Sequence, residues 1–129
     1  MKVTPVIIPP AQPIPQPTFG YSHPLKTAWK KGQIPQVKKG FYGERLTAKN
    51  VSLEHLKPKS QKGETKWHNL VLASNKINNE RGDKPLSEYI NYKAMGEYLD
   101  QFKNIKIKGF DGNKYIAMIL ETVGGLLNV

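Results

Sequence analysis

Val51-Ser52-Leu53-Glu54-His55-Leu56-Lys57-Pro58-Lys59-Ser60, Trp67-His68-Asn69-Leu70-Val71-Leu72-Ala73, and Ser74-Asn75-Lys76-Ile77-Asn78-Asn79-Glu80-Arg81-Gly82-Asp83 together decide the fold. Residues 51–55 alternate apolar and polar side chains, a short strand pattern. Pro58 and Gly63 punctuate a loop that carries Lys57, Lys59, Lys62 and Lys66. Residues 70–73 read as a second short strand. From Ser74 a helix is expected to carry Lys76, Ile77, Asn78 and Arg81 to a stop at Gly82. The order is strand, loop, strand, helix.

Working outward, residues 40–47 (Gly-Phe-Tyr-Gly-Glu-Arg-Leu-Thr) form a turn or short hairpin entering this unit. Asp83-Lys84-Pro85 can start a further helix, with proline near the first turn. Ile90, Ala94, Met95, Tyr98, Leu99 and Phe102 recur at three- and four-residue steps, so one face is apolar and is read as core rather than binding groove. Ile105 and Ile107 alternate with lysines, a small strand. Gly109-Phe110-Asp111-Gly112 is a turn and not a phosphate loop, since no strand-to-helix glycine pattern accompanies it. Residues 115–127 predict a last helix weakened by Gly124-Gly125. No internal repeat is visible.

Residues 1–40 hold eight of the ten prolines. From Pro5 to Pro17 they favour polyproline II and forbid a helix. The expectation is a basic, extended arm over 1–40, mobile or strapped across a domain at 41–129 whose core is 41–85. Phe19, Tyr21 and Trp29 favour partial docking. A PxxP ligand is the minor reading of residues 8–17.

The chain has 129 residues, 38% hydrophobic and 23% charged, enough for one modest domain. Twenty Lys and Arg against ten Asp and Glu leave a net charge of +10, with a pI near 9.8. Such a balance suits a polyanionic partner, because each cation on a phosphate releases counterions; the alternative is a charge that serves solubility alone. Without cysteine there are no disulfides and no thiolate zinc site. No apolar run is long enough for a transmembrane helix, and Val6-Ile7-Ile8 is too short for a signal peptide. A cytoplasmic protein without a membrane partner is expected.

The central stretch carries the parts of a one-metal site that cuts phosphodiesters. Hydrolysis needs a deprotonated water, a counter to phosphoryl charge and help for the leaving oxygen. A histidine can take the proton near neutral pH, and one divalent cation can supply the electrostatic services. Mg²⁺ prefers oxygen ligands and keeps several waters, so Glu54 and an asparagine of the following helix suffice as protein ligands. Adjacent strand residues point to opposite faces. Glu54 and His55 therefore share a site only if the strand ends there and bends, as Pro58 suggests. Asn69, just ahead of the second strand, could bridge the loop and hold the histidine backbone. Asn78 and Arg81 share one face of the helix.

These residues resemble the HNH endonucleases of the His-Me finger (ββα-metal) group over about residues 41–85. Tyr42-Gly43 to Leu46-Thr47 is similar to the family's lead-in with its cysteine lost. Glu54-His55-Leu-Lys-Pro58-Lys-Ser60, Asn69-Leu-Val-Leu, and Asn78-Asn-Glu-Arg81-Gly82-Asp83 resemble its three segments. The resemblance implies an α+β protein with a ββα-metal core, a short β-hairpin and helix, flanking C-terminal helices and the Pro-rich extended arm. It implies His55 as general base, Glu54 and Asn78 as ligands of Mg²⁺ or Mn²⁺, Asn69 orienting the loop, and Arg81 on a phosphate. Products would carry a 5′-phosphate and a 3′-hydroxyl. Ser74 and Ile77 fall where many members carry zinc-binding cysteines, so no structural zinc is expected. Glu54 stands where aspartate is frequent. The stand-alone size is like that of phage or mobile-element members, which would place it in a host cytoplasm.

Lys57, Lys59, Lys62, Lys66, His68 and Arg45 are the expected nucleic-acid contacts. The plainer alternatives are an ordinary surface pair for Glu54-His55, a helix-end charge for Arg81, and Asn75 or Asn79 in place of Asn78. Trp67 is read as core rather than a base-stacking platform. DNA is the expected substrate, with cleavage by nicking or double-strand cutting. A binding module on the same scaffold without catalysis, or an RNA-directed protein, is the other outcome.

Overall fold

Proline placement and side-chain caps decide where the first helix begins. Residues 23–127 are described in the computed structural model. Pro24 opens α1 (Pro24–Lys30), where its missing N–H costs nothing, and His23 Nδ1 accepts the Leu25 N–H at 3.1 Å. Leu25, Ala28, Ile34 and Val37 are buried in the same core as the rest of the chain. An extended arm therefore does not describe residues 24–40; the polyproline and PxxP readings lie outside the described residues. Docking near Trp29 is seen, its indole N–H donating to the Val37 carbonyl at 2.7 Å. Gln101 holds the following segment, accepting from the Lys38 and Lys39 N–H groups and donating to the Lys39 carbonyl.

The hairpin forms where the alternation places it. Strands β1 (Val51–His55) and β2 (Leu70–Ser74) pair antiparallel, Val51 opposite Ser74 and His55 opposite Leu70. The chain between them needs Gly63: a Cβ there would lie 1.7 Å from the Lys57 carbonyl oxygen, since the Gly63 N–H bonds the Pro58 carbonyl. Ser74 then caps α2 (Asn75–Arg81), accepting from the Ile77 N–H, and the helix stops at Gly82 with φ +54°.

β2 has a partner on one side only, and its outward groups are buried. Leu72 donates to the Tyr98 hydroxyl, its carbonyl accepts from Phe41 N–H, the Leu70 carbonyl accepts from Tyr115, and Ser74 N–H donates to Glu44. Tyr115 spends its proton on Leu70, so Tyr98 donates the 2.8 Å bond between the two hydroxyls. Two buried tyrosines thus close a sheet edge that would otherwise leave backbone groups unpaired.

The helix expected from residue 83 begins later. Pro85 precedes a single 3₁₀ turn (Leu86–Glu88), and α3 (Tyr92–Asp100) starts after Asn91, whose side chain accepts from the Ala94 N–H. An asparagine bonding forward offers the backbone a new start rather than continuity. Ala94, Met95, Tyr98 and Leu99 face the core as their spacing predicts. Strands β3 (Lys106–Ile107) and β4 (Phe110–Asp111) form a second hairpin. Asp111-Gly112 is not a turn: Asp111 closes β4 and accepts the Lys114 N–H, and Gly112 opens α4 (Gly112–Leu127). Gly112 is required there, because a Cβ would sit 2.0 Å from the Phe102 carbonyl oxygen. Tyr115, Ile119 and Val123 line the buried face of α4, and Gly124-Gly125 do not end it. Trp67 packs 5.0 Å from Phe110, its expected core use.

The described residues make an α+β fold of four α-helices and two two-stranded antiparallel sheets. No helix among them is long and apolar enough to cross a membrane.

Candidate metal and phosphodiester site

The end of β1, the loop after it and the exposed side of α2 enclose an open cleft of about 510 Å³. Glu54, His55, Pro58, Lys59, Asn78 and Asp83 are among its walls. The strand does end at His55, so two neighbouring side chains that a longer strand would separate reach one space.

Glu54 is 2% exposed and asymmetrically held. Its Oε2 accepts from the Tyr42 hydroxyl at 2.5 Å and from Arg81 Nη1 at 2.9 Å; Oε1 takes neither bond. Burial pushes the Glu54 carboxyl up, and the bonds from Tyr42 and Arg81 pull it back. Burial, then the Glu54 charge, drives the Tyr42 hydroxyl far above the ordinary tyrosine range, so Tyr42 stays a donor.

Asn78 is fixed through one end of its amide. Nδ2 donates to Ser52 Oγ at 2.8 Å and to the Leu53 carbonyl at 2.9 Å, which orients the amide and leaves Oδ1 unbonded to the described residues. Asn75 and Asn79 are exposed, and Asn75 Nδ2 turns to the Lys49 carbonyl.

His55 Nε2 lies 2.9 Å from Thr65 Oγ1. Desolvation, then Lys59 and His23, hold the imidazole below the ordinary histidine range. It is therefore neutral at pH 7, the state in which a ring nitrogen can accept a proton.

Asn69 is buried and binds the loop, as its position predicts. Oδ1 accepts the Lys57 N–H at 2.8 Å, while Nδ2 donates to the Lys57 and Glu64 carbonyls at 3.1 and 2.9 Å. Both flanks of the loop are thereby tied together, and Thr65 is the next residue after Glu64.

Arg81 requires a correction. Its guanidinium is 1% exposed and bonds inward to Glu54 and to the carbonyls of His55, Leu56 and Lys84. It serves the strand end and the carboxylate, and a phosphate cannot reach it. The helix face was legible in the sequence; which way that face turns depended on where β1 lay.

The expected basic contacts divide. Lys59 stands at the cleft. Lys57, Lys62 and His68 line a separate depression with Glu64 and Glu121, where His68 Nε2 is 3.3 Å from Glu64. Lys66 pairs with Glu64 at 3.5 Å on the surface. Arg45 lies elsewhere, beside Trp29 and Leu46.

Sequence reading missed Ser52 and Thr65 and did not assign Tyr42 a role at the carboxylate. A hydroxyl two residues before Glu54, on the same strand as Asn78's target carbonyl, carried no pattern of its own. Nothing at Thr65 marked it.

A hard divalent cation fits the donor set: one free carboxylate oxygen and one free amide oxygen facing a solvent-open space. Among the described residues no cluster of three or more His, Cys, Asp or Glu could hold a metal, so such an ion would depend on a mixed carboxylate and amide set. The chain matches no protein-family model, no curated protein and no solved structure.

Proposed function

We propose that this chain is a metal-dependent endonuclease that hydrolyses DNA phosphodiester bonds, on the ββα-metal (His-Me finger) plan of the HNH enzymes it resembles. The supporting observation is the meeting of three uncommitted acceptors at one cleft. They are Glu54 Oε1, Asn78 Oδ1 and the ring nitrogen of His55 not engaged by Thr65.

Glu54 and Asn78 would hold Mg²⁺ or Mn²⁺. The ion supplies charge compensation on the phosphoryl oxygens and at the leaving 3′-oxygen. Tyr42 and Arg81 keep Glu54 ionised and fix its plane. Thr65 accepts the Nε2 proton of His55, so Nδ1 carries the lone pair that takes a proton from water. Asn69 holds the loop that brings Thr65 to the imidazole. Water attack on phosphorus with departure of the 3′-oxygen leaves a 5′-phosphate and a 3′-hydroxyl. Lys59, at the mouth, attracts the backbone.

Incubation with supercoiled plasmid tests this. Nicking is expected with Mg²⁺, none with EDTA, and His55→Ala should slow it by about 10²-fold or more. A gel shift without product, indifferent to metal, would replace the enzyme with a binding module on the same scaffold. Preference for structured RNA over duplex in competition would redirect the substrate.

A further inference from the structure

The cleft is electrically balanced before any ligand arrives. Glu54 is its innermost carboxylate, and its negative charge is met at 2.9 Å by Arg81, both groups essentially withdrawn from solvent. Asn78 contributes an amide oxygen without charge. At the mouth, the exposed Asp83 is offset by Lys59. Two carboxylates thus face two cations, within a chain whose net charge is +10. A divalent ion entering alone finds only two protein oxygens and no net negative charge, while the whole field of the protein opposes it. Divalent affinity rises with the charge count of the ligands.

A phosphodiester supplies what is lacking, a full negative charge and a third hard oxygen ligand. The same phosphate entering without an ion is drawn by Lys59 but meets the carboxylate oxygen of Glu54. We infer that a divalent cation and a nucleic-acid phosphodiester occupy this cleft as a coupled pair, each raising the protein's affinity for the other. The inference rests on the reading of the cleft given under Proposed function and adds the order of its assembly. The free protein is nearly empty of metal, and the ion is recruited with the substrate.

Reciprocity makes this testable from both sides, because a coupling free energy is shared. Full-chain His55→Ala protein keeps Glu54 and Asn78 and spares the DNA. Its Mn²⁺ binding is followed by the electron paramagnetic resonance of free Mn²⁺, with and without a short duplex, and with the duplex alone as control. Mn²⁺ should bind about 5- to 150-fold more tightly in the presence of duplex, and Mn²⁺ should tighten duplex binding by the same factor. Asn78→Asp adds one charge to the ligand set. Provided circular dichroism shows it folded, it should raise Mn²⁺ affinity for the free protein about tenfold and shrink the coupling. Equal Mn²⁺ affinity with and without duplex, in a chain that nicks plasmid in a metal-dependent way, overturns the coupling and leaves the nuclease reading standing. No Mn²⁺ binding in either state, together with no nicking, overturns both.

Discussion

Replacing Asn69 with alanine removes three hydrogen bonds from a side chain that is 2% exposed. It leaves the Lys57 N–H and the Lys57 and Glu64 carbonyls without their partner. At about 1 kcal/mol for each bond, and more for a buried donor left unsatisfied, the loss is about 2–4 kcal/mol. In urea that corresponds to a midpoint lowered by about 1–2 M for a protein of this size. Asn69→Asp separates hydrogen bonding from packing. Its carboxylate can still accept from Lys57 N–H but faces two carbonyl oxygens it cannot donate to, so it should be no more stable than the alanine variant. Equilibrium unfolding followed by tryptophan fluorescence reads both, since Trp67 lies two residues away on the same turn. A fall in nicking at temperatures where the variant is still folded should accompany the change, because the same loop delivers Thr65 to His55. A midpoint within about 0.3 M of wild type for both variants would refute the account of Asn69 as the tie between the loop flanks.

Two other outcomes follow from buried polar groups. Arg81→Met strands the Glu54 carboxylate and three carbonyls, so it should cost about 3–5 kcal/mol in thermal or urea unfolding. In the variant that remains folded at low temperature, the salt dependence of DNA binding should keep its slope; a slope reduced by about one would put Arg81 on a phosphate after all. Tyr98 and Tyr115 have hydroxyls raised above the ordinary range by burial. A group with a raised folded pKa stabilises the fold below its unfolded pKa and loses that contribution as pH climbs toward the folded one. Stability should therefore fall above about pH 10. Spectrophotometric titration should show these two of the six tyrosines ionising only as the protein unfolds, and early smooth titration of all six would contradict the buried hydroxyl chain.

Much of the framework follows from local pattern. The alternation at 51–55, the apolar run at 70–73, Ser74 ahead of a helix and Gly82 after it are nearest-neighbour statements, and each element lies where those residues put it. Asn69 was legible for the same reason: an amide at the junction of loop and strand has few uses other than tying backbone. The helix at Pro24–Lys30 was hidden by its proline-rich context, although proline at a first turn is compatible with a helix. Asp111 was read as a turn because Asp-Gly is a turn signal, whereas here the aspartate caps and the glycine lets α4 pass against the Phe102 carbonyl.

By itself the sequence determined the order of strand, loop, strand and helix, the basic balance, the absence of sulfur ligands, and the placing of one imidazole, one carboxylate and two amides within 25 residues. Only the tertiary structure decided which atoms of those groups remain free. Glu54 presents one oxygen because Tyr42, twelve residues earlier, and Arg81, twenty-seven later, hold the other. Arg81 turns inward because the carbonyls at the end of β1 need donors more than solvent does. Such assignments are contests between distant groups for the same lone pairs. No local pattern records their outcome, since it depends on burial and distance that exist only once the chain has folded.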